Sequence, residues 1–139
     1  EKYMGKMSGP LLDRIDIHIE VPAVPYRELQ SETPGTSSAE IRQQVATARR
    51  RQADRYDSSR TRYNADMTHR QTRQFCRLSA ECSDLLRASV TELGLSARAH
   101  DKVLRVARTI ADITESDQIE LEHLTEAVNY RLLDRGLWK

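Results

Sequence analysis

From Leu78 to Leu133 apolar residues recur every three or four positions, the spacing of one face of an α-helix. Leu78, Cys82, Leu85, Leu86 and Leu93 form a first stripe. Ser79 caps its helix, and Gly94 stands where a left-handed residue closes it. Ala99, Val103, Val106, Ala107, Ile110 and Ala111 form the strongest stripe, on a helix from Ala97 to about Ile113 behind the cap Ser96. Arg98, Arg105 and Arg108 lie off that stripe. A loop over Thr114–Gln118 leads to a last helix, residues 119–133 with its lead-in, packing through Leu121, Leu124, Ala127, Val128 and Leu132. Residues 134–139 form a tail that should fray.

Upstream, Ser37 and Glu40 have the spacing of a capping box. Behind them Ile41, Val45, Ala48 and Tyr56 share one face of a helix of about four turns. Residues 57–66 carry no apolar period and are expected to form a mobile loop. A short helix is expected over Thr68–Cys76. The start of the chain follows a different rule. Pro10 opens a short turn through Leu11–Arg14, after which Ile15, Ile17, Ile19 and Val21 alternate with Asp16, His18 and Glu20. That period of two predicts a strand, stopped by Pro22 and Pro25. No second run of β character occurs, so its sheet is expected upstream. Residues 26–36, with Pro34-Gly35, read as a linker. The fold class is mainly α: a small bundle of about four main helices (residues 37–133) with an N-terminal arm (residues 1–25).

Composition narrows the setting. At 139 residues and 38% hydrophobic, the chain has material for one modest core. No run approaches the roughly 18 apolar residues of a membrane span. No signal-peptide core opens the chain, and Cys76 and Cys82 fit neither a disulfide framework nor zinc spacing. The expected compartment is therefore the cytoplasm. Net charge is +1, but residues 42–77 carry ten Lys/Arg against three Asp/Glu. Such a block either faces phosphates or an acidic partner, or is a solvated helix face and linker.

Known reaction motifs are missing. There is no G-x-x-x-x-G-K-[ST], no histidine cluster with metal spacing and no nucleophile–base arrangement. The isolated chain should hydrolyse nothing. Two arginines stand out by position. Arg14 lies at the junction of turn and strand. Arg98 lies in the first turn of a helix, where a cation opposes the helix dipole at a cost of about 0.3–1 kcal/mol. Each is either tolerated on the surface or used to meet an anion.

Several stretches together carry a resemblance. They are Ser8-Gly9-Pro10-Leu11-Leu12-Asp13-Arg14-Ile15-Asp16 through Pro22, Ser37–Arg42, Leu95-Ser96-Ala97-Arg98-Ala99, Leu104–Asp112 and His123–Arg131. In this order they resemble the magnesium-chelatase-like AAA+ ATPases, particularly the ComM/YifB type of bacterial competence-related protein. The resemblance implies the C-terminal piece of a longer protein: the end of the ATPase core, then the helical lid. Family members use ATP and Mg2+, assemble as rings that are commonly hexamers, and in this type act on DNA as helicases or in branch migration during natural transformation. No cofactor is expected on the isolated piece, and the P-loop and Walker-B residues would lie upstream. Arg14 falls on the arginine-finger position, reaching a neighbouring subunit's γ-phosphate. Arg98 falls on the sensor-2 position, contacting the phosphates of its own subunit's nucleotide. Arg105, two helical turns further on and close to the same face, is the other candidate there. The competing reading is a free-standing helical module that binds nucleic acid or protein through residues 42–77.

Overall fold

Hydroxyl caps set the helix starts. In a computed structural model, which describes residues 11, 14–26, 30, 35–57 and 59–131, five α-helices follow one another. They are α1 (Ser38–Tyr56), α2 (His69–Phe75), α3 (Ala80–Leu93), α4 (Ala97–Ile113) and α5 (Leu121–Asn129), with a 3₁₀ turn at Asn64–Asp66 before α2. Ser37 Oγ accepts from the Glu40 N–H, and the Glu40 carboxylate accepts from the Ser37 N–H at 2.7 Å. Ser79 and Ser96 cap α3 and α4 through their hydroxyls. Thr68 and Gln71 form a further capping box at α2, outside the sequence expectation. Gly94 closes α3 with φ of 63°, the left-handed value that glycine adopts without strain.

Helix α4 is the hub of the packing. It contacts α1, α2, α5 and the 3₁₀ turn, while α3 packs on α5. Ala99, Val103, Ala107 and Ala111 line one buried face of α4, at most 1% exposed. Small side chains there let neighbouring helices approach closely. Leu86 and Leu93 of α3, Leu124 and Ala127 of α5, and Met67 before α2 fill the space around it. The lead-in Ile119 is also buried, so the last helix begins later than its apolar pattern. Leu132 and the tail 134–139 lie outside the described residues.

His123, on the first turn of α5, is 2% exposed. Its Nδ1 accepts from the Glu120 N–H at 3.0 Å, so Nε2 carries the proton and donates to Thr114 Oγ1 at 2.9 Å. One neutral imidazole thus joins the end of α4 to the start of α5.

Four expectations change. Ile41 and Val45 are 49% and 51% exposed; only the C-terminal half of the α1 stripe, from Ala48 to Tyr56, is buried. Leu121, expected among the packing residues of the last helix, is 38% exposed. The loop expected to be mobile carries a core residue, since Asn64 is 2% exposed. Finally, no strand forms among the described residues. A strand needs a partner ladder, and residues 15–21 find none. Instead the His18 N–H donates to Tyr130 O at 2.9 Å, and buried Arg131 donates to Ile15 O. Ile15, Ile17, Ile19 and Val21 stay exposed.

The polar centre is Asp112, which is fully buried on the last turn of α4. Arg55 Nη1 of α1 donates to Asp112 Oδ2 at 2.7 Å. Arg108 Nε, one turn earlier on α4, lies 3.3 Å from Oδ1, and Arg51 Nε lies 3.9 Å from it. Asn64 Nδ2 donates to Oδ2 at 2.8 Å, while Asn64 Oδ1 accepts from Tyr56 Oη at 2.8 Å. Arg108 also donates to the carbonyls of Ser116 and Asp117. Arg108 was read as off the stripe, yet it is 3% exposed. Its guanidinium replaces apolar contact with ionic contact.

Removing the carboxylate leaves Arg55 and Arg108 without their buried counter-charge. Asp112→Ala should lower unfolding free energy by about 3–5 kcal/mol in urea titrations. Leu124→Ala should cost about 2–5 kcal/mol through its cavity, whereas Ile41→Ala should stay within about 0.5 kcal/mol. Burial also pushes the Cys76 thiol from 9.0 up to about 12 and the Tyr56 phenol from 10.0 up to about 12. Above pH 9 the unfolded chain releases these protons first. Stability should hold to about pH 9 and then fall toward pH 12 by about 1 kcal/mol per pH unit for each group. Denaturant midpoints across that range check this, and Cys76→Ala should flatten the earlier part of the fall.

Candidate functional site

A cleft of about 890 Å³ opens at the N-terminal end of α4. Arg98, Lys102 and Arg105 of α4 line it on one side, with His69 of α2 opposite and Val90 and Leu95 as an apolar wall. The local sequence explains the arrangement. Ser96 ends the previous segment by capping α4, its hydroxyl accepting from the Ala99 N–H at 3.0 Å. Residues 98, 102 and 105 then follow at intervals of four and three, so their side chains stack on one face. Against these three cations stand two carboxylates: Asp101, shared by His69 Nδ1 at 3.4 Å and His100 Nδ1 at 3.3 Å, and Asp16, which pairs with Lys102 at 2.6 Å. The N-terminus of a helix adds its own positive end. The cleft is therefore a net cationic pocket with an apolar flank, suited to an organic polyanion such as a nucleotide.

The sequence-predicted residues fall as follows. Arg98 is exposed at the mouth of the cleft. Arg105 is half-buried and lines the same cleft, its Nη1 anchored on Ala65 O at 3.0 Å. Arg14 is exposed and does not line the cleft, but its backbone is held beside it. Lys102 Nζ donates to Arg14 O and pairs with Asp16 Oδ1 at 2.6 Å. Lys102 escaped the sequence reading. The only signal was its position one turn after Arg98, off the apolar stripe; its partner Arg14 lies 88 residues away along the chain. Among the described residues no group of three or more His, Cys, Asp or Glu converges on a point that could hold a metal ion.

Comparison with known families now bears on this geometry. Residues 35–131 match the family described as magnesium chelatase, subunit ChlI C-terminal. The chain belongs to that family. Residues 1–29 match the companion family, magnesium chelatase, subunit ChlI. Among curated relatives, the chain is 44% identical over 137 residues to the uncharacterized protein YifB of Escherichia coli (strain K12), covering 98% of the chain. It is 41% identical over 137 residues to YifB of Salmonella typhimurium, again covering 98% of the chain. It is 37% identical over 139 residues to the competence protein ComM of Haemophilus influenzae, covering 99% of the chain. The chain spans 26% of the length of each of these relatives. The ChlI C-terminal match covers the linker end and all five helices, so the whole bundle is the family's domain. No helix among the described residues is long and apolar enough to cross a membrane.

Lys102 holds the carbonyl of the bond that trypsin cuts after Arg14. In Lys102→Ala, cleavage after Arg14 should become several-fold faster, with cleavage after Arg42 unchanged. Timed digestion read by mass spectrometry checks this.

Proposed function

We propose that this ChlI C-terminal domain is the lid portion of a magnesium-chelatase-like AAA+ ATPase that couples ATP hydrolysis in a ring to DNA remodelling. The observation that carries the reading is the meeting of Arg98, Lys102 and Arg105 in one cleft at the head of α4. Such a cluster suits phosphate oxygens, which take charge-assisted hydrogen bonds from the guanidiniums of Arg98 and Arg105, while the Lys102 ammonium is held by Asp16 and the Arg14 carbonyl. ATP with Mg2+, when bound, supplies the phosphoryl group whose transfer to water releases the energy. Arg98 holds phosphate oxygens of the nucleotide in its own subunit. Arg105, steadied by Ala65, meets the same phosphates from deeper in the cleft. Arg14 extends to the nucleotide of a neighbouring subunit and neutralises charge that develops in the transition state. A ring, commonly a hexamer, is the arrangement in which one subunit can present Arg14 to the next. DNA as the substrate rests on the likeness to a protein named for competence. The alternative, a free-standing nucleic-acid-binding module, loses part of its basis. Arg55 of the basic block pairs with buried Asp112, and Arg51 pairs with Asp117 at the surface.

In the full-length ring, Arg14→Ala should lower ATP turnover by about 10³-fold while nucleotide binding persists. Arg98→Ala should weaken nucleotide binding or slow hydrolysis. Steady-state ATPase assays and a fluorescent-nucleotide titration check both. Wild-type values for Arg14→Ala remove the finger role, and wild-type values for Arg98→Ala remove the sensor role.

A further inference from the structure

A second cleft, of about 450 Å³, shares no lining residue with the one at Arg98. It lies between the C-terminal ends of α1 and α2, the cap of α3 and the turn after α4. Arg55, Arg77 and Arg108 line it together with Ser79, Gln118 and one acid, Asp117. The charges here do not balance among the described residues. Asp112 is the one buried carboxylate, and it faces Arg55, Arg108 and Arg51. The other acid, Asp117, pairs with Arg51, but its side chain is 93% exposed, so water screens its charge. Arg108 is 3% exposed, and its Nε lies 3.3 Å from Asp112 without hydrogen-bond geometry. Burial and the neighbouring Arg55 and Arg51 guanidiniums hold Arg108 below the usual arginine range, with Asp112 opposing them only in part. Two lining arginines sharing one carboxylate therefore keep an uncompensated positive charge next to open volume. Such a charge is stabilised by an anion within hydrogen-bond reach.

The residues lining the cleft suit a compact oxyanion: three arginines, the side-chain amides Gln74 and Gln118, and Ser79 at the start of α3. Arg55 and Arg108 keep their bonds to protein acceptors, so they contribute charge, while Arg77 is exposed. The Ser79 oxygen already accepts from the Cys82 N–H at 3.1 Å, which leaves its O–H to donate. Phe75 and Leu78 give the cleft an apolar lining that lowers the local dielectric.

We propose that this cleft is a second anion site that takes one phosphate-type oxyanion, either free phosphate or pyrophosphate, or a phosphodiester of a nucleic-acid strand. The site is independent of the nucleotide reading of the Arg98 cleft.

The test is an amide chemical-shift titration of the isotope-labelled chain at fixed ionic strength. The probes are inorganic phosphate, pyrophosphate and a short single-stranded oligonucleotide. Saturable shifts are expected at Arg77, Ser79 and Gln118. Gln118→Glu, an isosteric change at an exposed position, should weaken binding about tenfold by placing a carboxylate in the lining. Arg77→Gln should weaken it to a smaller degree. Arg98→Ala should leave it intact, which separates failure of this site from failure of the nucleotide site. Tighter binding of pyrophosphate assigns a free phosphate, and tighter binding of the oligonucleotide assigns a strand. Shifts that do not saturate, shifts confined to residues 96–105, or wild-type affinity in Gln118→Glu overturn the proposal.

Discussion

The structure depends on one carboxylate that has no access to water. Asp112 ends α4 inside the protein, and desolvating an ionised carboxylate costs several kcal/mol unless partners surround it. Those partners come from three places: Arg51 and Arg55 on α1, Asn64 in the 3₁₀ turn, and Arg108 on α4 itself. The hydrogen bonds from Arg55 and Asn64 are directional, so together they hold α1 and the 3₁₀ turn against α4. The apolar contacts beside them would not do this alone. Small buried residues such as Ala107 and Ala111 allow close helix approach but offer little shape to set a rotation. Asp112 therefore turns loose apolar contact into a defined arrangement, and the turn after α4 follows through Arg108 and the Ser116 and Asp117 carbonyls.

Much of the bundle could be read from the residues. The hydroxyl caps at 37, 79 and 96 and the left-handed Gly94 stand where spacing puts them, because caps and turns are local chemistry. The polar core could not be read in that way. A helical period counts apolar residues and assigns an arginine to water. A guanidinium on a long stem can turn inward when a buried carboxylate waits for it. Arg108 was misread for that reason, and Asn64 because an apolar period cannot register a buried amide. Ile41 and Val45 show the opposite error. A helix can run beyond the partner that would cover its stripe, and α1 does so past Ile113. Alternation over Ile15–Val21 shows which faces are apolar, but it carries no information on whether a ladder partner is at hand. At the cleft, Arg98 stood out because its charge opposes a helix dipole. Lys102 did not, because only tertiary contact gives it meaning.

The net charge of +1 hides how the cations are distributed. The basic block is not one surface. Arg51 and Arg55 face the core, and Arg49 lies over the Tyr63 ring at 3.6 Å. Outside the block, Arg98, Lys102 and Arg105 line one cleft beside α4, and Arg108 of the same helix lines the other. Arg105 and Arg108 stand one turn apart, so one helix carries positive charge to two clefts. A count of charge by segment does not show this, because it follows from which residues the fold places around α4.

The Lys102 contact has a mechanical consequence. Residues 14–16 and the first turns of α4 are distant in sequence, yet one ammonium group joins them. Arg98 sits one turn before that ammonium on the same rigid rod. Any rotation of α4 that carries Arg98 toward or away from an anion must either pull the Arg14 backbone with it or break the Lys102–Asp16 pair. The two arginines then move as one degree of freedom while the pair holds, and as two once it parts. An ion pair whose carboxylate is exposed is weak enough to part and reform during such motion. Lys102 is thus a clutch between two elements that a linear map of the chain would treat as unrelated.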